Sequence, residues 1–99
     1  MQITETRDGD TIQLTVEGRV DTTTAPDLQK SILDAFQKGK HVIIDFSAVE
    51  YVSSAGLRAL LLGQKTATSK GGSLKILNVC DAVKQVFDMS GFSKILTIA

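Results

Sequence analysis

Cysteine, histidine and proline occur once each in this chain of 99 residues, the formal net charge is zero, and no long apolar run is present. Each scarcity excludes something. A single cysteine, Cys80, rules out an internal disulfide and a cysteine-built metal site, and reads as a small core residue. A neutral balance of 11 basic and 11 acidic residues leaves no electrostatic footprint for nucleic acid. The apolar run Leu60-Leu61-Leu62 is far too short to span a bilayer, and the N-terminus "MQITETRDGD" is no signal peptide. These features predict a soluble protein of the cytoplasm with no membrane insertion.

Catalysis is poorly supported for the same reason. The lone His41 begins a predicted strand whose far end precedes Ser53 and Ser54, and a strand of five or six residues is roughly 17–20 Å long. It is badly placed to activate either serine. The hydrolase elbow Gly-x-Ser-x-Gly and the glycine-rich phosphate loops are missing from the sequence. Asp21, Asp45, Asp81 and Asp88 have no metal-ligand spacing. No enzyme, metal or cofactor is predicted.

What is present is alternation. Residues 2–7 and 11–17 alternate polar and apolar side chains around the hairpin signal Asp8-Gly9-Asp10, and Gly18 is expected to end the second strand. Thr22-Thr23-Thr24-Ala25-Pro26-Asp27 reads as a helix start, with hydroxyl caps, a first-turn proline and an acid near the positive dipole end. Leu28, Ile32, Leu33 and Phe36 follow at helical spacing up to Gly39. Val42-Ile43-Ile44-Asp45-Phe46 reads as a central strand covered on both faces. A second helix carries Leu57, Leu60 and Leu61 as far as Gly71-Gly72. Residues 73–79 form a strand, Ala82, Val83, Val86 and Phe87 mark a third helix ending at Gly91, and Ile95–Ile98 a last strand. The order ββαβαβαβ predicts one α/β (or α+β) domain over residues 1–99. Its single mixed sheet has about five strands with helices packed against it.

Between the central strand and second helix stands Val52-Ser53-Ser54-Ala55-Gly56-Leu57. A loop leaving a strand's C-terminal end and starting a helix is a favoured place for ligands and partners. The first N–H groups of a helix are unpaired and accommodate a phosphate. One serine of the pair can equally be a helix cap and nothing more. The residues alone leave both readings open.

The stretch "DFSAVEYVSSAGLRALL" resembles the signature of the STAS domain of bacterial anti-sigma factor antagonists: a hydrophobic strand ending in an acid, then Asp/Ser-Ser-x-Gly-Leu opening a helix. "VEGRVDTTTAPDLQK" is similar to that family's Gly-x-Leu/Val-Asp segment and places its acid on Asp21. "VKQVFDMSGFSKIL" is similar to its third-helix segment. The resemblance implies partner switching. An unphosphorylated antagonist binds an anti-sigma factor, often a serine kinase of the GHKL ATPase type, and frees the sigma factor. Phosphorylation of one serine dissolves that complex, and a metal-dependent Ser/Thr phosphatase restores it. The family spacing, two residues before the glycine, puts the acceptor on Ser54, with Ser53 as the second choice. Ser53 stands where relatives often carry an aspartate. Asp21, Thr22, Ser53, Ser54, Gly56 and Arg58 are the implied partner-binding residues, and Met89 extends the surface. The alternative is an adaptor STAS subunit of a stressosome or of a lipid or anion transporter assembly. Many relatives add a closing helix after the last strand, which is not contained in this sequence.

Overall fold

The computed structural model describes residues 1–98, so Ala99, the last residue of the predicted domain, lies outside the described residues. Strands β1 (Gln2–Asp8) and β2 (Thr11–Val20) form the expected antiparallel hairpin. Helix α1 (Ala25–Lys38), strand β3 (His41–Val52), helix α2 (Ser54–Lys70), strand β4 (Ser73–Leu77) and helix α3 (Asp81–Ser90) follow. A 3-10 turn at Phe92–Lys94 leads into β5 (Thr97–Ile98). Gly71 and Gly91 end α2 and α3 in the left-handed conformation, at φ 69° and 78°, where a Cβ would be strained.

The sheet order is β1-β2-β3-β4-β5, with every pair after the hairpin parallel. That order decides where the core sits. Each crossover advances in the same direction across the sheet, and right-handed crossovers that never reverse stack their helices on one face. Burial agrees: Ile12, Leu14 and Val16 of β2, Val42, Ile44 and Phe46 of β3, and Leu74 and Ile76 of β4 are all buried. The residues between them, Gln13, Thr15, Ile43, Asp45 and Lys75, are half-buried or exposed. The expectation that 42–46 is covered on both faces is therefore corrected. A βαβ chain with no reversal of strand order covers one face only, and Ile43 borders the open side.

Strand β3 is also far longer than the apolar run suggested. Its register against β2 slips twice, between Thr15 and Glu17 and between Gly18 and Arg19, each time by one extra residue on β3. A bulge adds a residue to one strand of a pair and breaks the alternation. The inward positions after Phe46 are accordingly Val49 and Val52, three apart rather than two. Asp45 anchors the first bulge: it accepts hydrogen bonds from the Ser47 N–H at 2.9 Å and from Asn78 Nδ2 at 3.1 Å. Asn78 itself turns left-handed at φ 58°, so β4 stops at Leu77 and not at Val79. Gly18 does not end β2. It lies within the strand at φ 103°, beside the irregular register. The last predicted strand is shortened because the N–H groups of Ile95 and Leu96 turn back to the Phe92 carbonyl.

Among the described residues, no helix is long and apolar enough to cross a membrane.

Candidate functional site

The serine pair divides its two roles. Val52 closes β3, and the Ser53 N–H donates to the Val20 carbonyl at 2.8 Å, which fixes the chain where it leaves the sheet. Ser53 has extended backbone, at φ −85° and ψ 173°, and its hydroxyl accepts the Gly56 N–H at 3.3 Å. It is the N-cap. Ser54 is the first residue of α2 and is exposed, so its hydroxyl is free of the capping duty. The cap and the exposed hydroxyl are thus adjacent residues. Ser53→Ala should cost about 0.5–2 kcal/mol of stability, the range for a lost N-cap. Ser54→Ala should stay within about 0.5 kcal/mol of wild type. Urea unfolding of the two variants side by side tests that division.

Gly56 lies beneath this turn, not on it. The residue is buried, and a Cβ there would stand 2.7 Å from a Val20 methyl and 2.9 Å from a Val52 methyl. Those valines are β-branched, buried and slow to yield. Its predicted place among contact residues is corrected to a packing role: it lets the first turn of α2 rest directly on the ends of β2 and β3.

Asp21 likewise acts on its own loop. Its Oδ1 accepts from the Thr23 hydroxyl at 2.7 Å, the Thr23 N–H at 3.0 Å and the Thr24 N–H at 3.1 Å. The threonine hydroxyls do not cap α1 as expected. Thr24 occupies the cap position, but its hydroxyl donates to the Arg19 carbonyl at 2.8 Å, and the Asp21 carboxylate takes the N–H groups instead. Hydrogen bonds from the Thr23 hydroxyl and the Thr24 N–H hold the Asp21 carboxyl below the usual 3.8. Asp45 is held below the same value, chiefly by the Ser47 N–H. A depressed carboxylate favours the fold while ionised. Its contribution is therefore intact above about 3.9 and is lost as pH falls through the lower folded value. In an acid titration followed by NMR, the amides of Thr23, Thr24 and Ser47 should move with midpoints below 3.8. Asp21→Asn and Asp45→Asn should abolish their respective transitions.

Two of the predicted residues do meet in space. Thr22 on the β2–α1 loop and Arg58 on α2 line one open depression of about 460 Å³. Ala25, Pro26 and Gln29 of α1 and Ala55 and Leu62 of α2 complete it. Ala55, the residue after Ser54, brings the depression next to the exposed hydroxyl. The α1 side and Leu62 were not anticipated, although Ala55, Arg58 and Leu62 stand at i, i+3 and i+7, one stripe of a helix. Another unanticipated feature stands on the strand ends just before the serines. The Arg19 guanidinium stacks over the exposed Tyr51 ring, 4.3 Å from its centroid. Met89 is 82% exposed on α3.

The chain's similarities to known proteins agree with the fold. The family model described as the STAS domain matches residues 2–99. The anti-sigma-B factor antagonist of Bacillus subtilis is 30% identical over 88 residues, which cover 89% of this chain and 81% of that protein. The anti-sigma factor antagonist SpoIIAA in its unphosphorylated form superposes with a TM-score of 0.83 at 21% identity, over 99% of this chain and 88% of SpoIIAA. The Bacillus cell fate determinant SpoIIAA in its phosphorylated form gives 0.76 at 20% identity, over 99% and 91%. At those identities the two structures speak for the fold alone. The family match spans nearly the whole sequence. The chain belongs to the STAS-domain family of anti-sigma factor antagonists.

Proposed function

We propose that this domain is a phosphorylation-controlled antagonist that binds an anti-sigma factor of the GHKL serine-kinase type and thereby releases a sigma factor in the cytoplasm. The observation that carries the reading is the exposed Ser54 at the start of α2, relieved of capping by Ser53. The depression of Thr22, Ala55 and Arg58 beside it offers the docking surface. In the off-switching step the kinase transfers the γ-phosphoryl group of ATP to Ser54 Oγ. The hydroxyl proton passes to a base of the kinase and ADP leaves. A metal-dependent phosphatase reverses the change by hydrolysing the phosphate ester. The domain itself performs no chemistry and is a binding module whose surface is edited.

A phosphate is well placed at this position for physical reasons. It sits at the positive end of the α2 dipole, where an anion is tolerated, so modification alters the surface without opening the core. The partner, by contrast, must desolvate a dianion to dock against it. The test is affinity capture from the source cell with wild type and Ser54→Ala as baits. Both should retain a protein with a GHKL ATPase domain, and ATP should elute it from wild type only. Capture of transporter or stressosome subunits in its place would favour the adaptor role and contradict the proposal.

A further inference from the structure

We infer that Arg58 is the intramolecular receptor for the phosphate on Ser54, so that modification both adds an anion and withdraws a cation from the docking depression. This rests on Ser54 being the modified residue. Ser54 and Arg58 are four apart on α2, which places their Cβ atoms about 5–6 Å from one another on one face. The direction is favourable. Helical side chains lean toward the N-terminus, so Arg58 reaches back over the first turn, while Ser54 has no residue of the helix before it to compete. The guanidinium presents a planar fork of donors that matches phosphate oxygens.

The charges around the turn leave Arg58 open for this role. It is exposed, and the ion pair found among the described residues, Lys38 with Glu5, lies elsewhere. The first turns of α1 and α3 carry Asp27 and Asp81, but that of α2 carries no acid. On the neighbouring elements Asp21 is engaged by Thr23 and Thr24, Arg19 is stacked on Tyr51, and Glu50 is exposed on β3. Arg58 is also the one charged residue lining the depression with Thr22, Pro26, Ala55 and Leu62. When it turns to a phosphate on Ser54, the depression keeps its apolar walls and loses its cation. A partner that had placed an acidic group there loses that pairing as well as meeting the phosphate.

The test needs neither the kinase nor the partner. Phosphoserine is installed at position 54 by codon suppression in otherwise wild-type, Arg58→Gln and Arg58→Lys proteins, and the second ionisation of the phosphate, ordinarily near pH 6, is followed by 31P NMR. The midpoint in the wild-type background should lie about 0.3 pH units or more below that of Arg58→Gln, the size of one ion pair at this helical spacing. Arg58→Lys should recover part of the difference, and high salt should shrink it. Coincident midpoints in the wild-type and Arg58→Gln backgrounds would overturn the inference. Because the phosphate is placed chemically, that result would leave the assignment of Ser54 as kinase substrate untouched. A kinase that ignores Ser54 would in turn leave the ion pair measurable.

Discussion

Ser54→Asp is expected to bind the anti-sigma partner at least about tenfold more weakly than wild type, a loss of roughly 1.4 kcal/mol or more. Its melting temperature should remain equal or rise slightly. The two halves of this result have one cause. An acid in the first turn of a helix interacts favourably with the dipole, by about 0.3–1 kcal/mol, so the folded domain is not harmed. The same charge on an exposed docking surface must be desolvated or repelled when a partner arrives. Aspartate carries less charge and fewer acceptor oxygens than a phosphate, so the true phosphoprotein should bind more weakly still. Ser54→Ala should bind as tightly as wild type and stay bound in the presence of ATP. Titration calorimetry with the purified partner, beside melting curves of each variant, separates binding from folding. A Ser54→Asp domain that melts far below wild type would mean that the substitution acts through the fold.

Ile44→Ala should cost on the order of 2–5 kcal/mol, the range for an aliphatic side chain deleted from a tightly packed core. Ile44 is 0% exposed and lies level with Leu14 on β2 and Ile76 on β4, both also buried. Small domains have only about 5–15 kcal/mol in total, so this one change can consume much of the margin. Ile43, its neighbour on the open face, is half-buried and should cost clearly less, below about 1.5 kcal/mol. Guanidinium midpoints of the pair test the one-sided sheet directly. Equal losses at 43 and 44 would mean that the open face is covered, and a loss below about 1 kcal/mol at Ile44 would mean that the strand is misplaced.

Helix ends and the hairpin were legible in the sequence because their determinants are local. Asp8-Gly9-Asp10 turns at Gly9, and α1, α2 and α3 stop before Gly39, Gly71 and Gly91. The length of β3 was not legible. Alternation is the signal of a strand, and two bulges erase it after Phe46 by moving the inward positions to Val49 and Val52. The one-sided sheet was obscured by Ile43, an apolar side chain on the solvent side of an otherwise convincing buried run. Burial there depends on the direction of the crossovers, which no single segment carries.

The candidate site was legible as a place and illegible as a division of labour. Paired serines before a helix announce a cap and a possible switch. Which of them caps depends on where the backbone passes from extended to helical, and that point is set by the Ser53 N–H on Val20, a contact between the ends of β2 and β3 that no local motif announces. Asp21 and Gly56 were found by resemblance, yet each serves geometry: one locks the loop bearing Thr22, the other seats the first turn of α2. The depression needed two helices to exist at all. Its α2 half could have been read from the stripe Ala55, Arg58, Leu62, whereas the Ala25, Pro26 and Gln29 side comes only from how α1 packs beside α2.

We propose Ser54 as the acceptor beside Ser53, the cap of α2. Incubation of the wild-type, Ser53→Ala and Ser54→Ala domains with the cognate kinase and ATP, followed by fragmentation mass spectrometry, addresses it residue by residue. One phosphate is expected on Ser54 in wild type and in Ser53→Ala, and none in Ser54→Ala. A phosphate on Ser53 in the wild-type protein, or undiminished phosphorylation of Ser54→Ala, would contradict it.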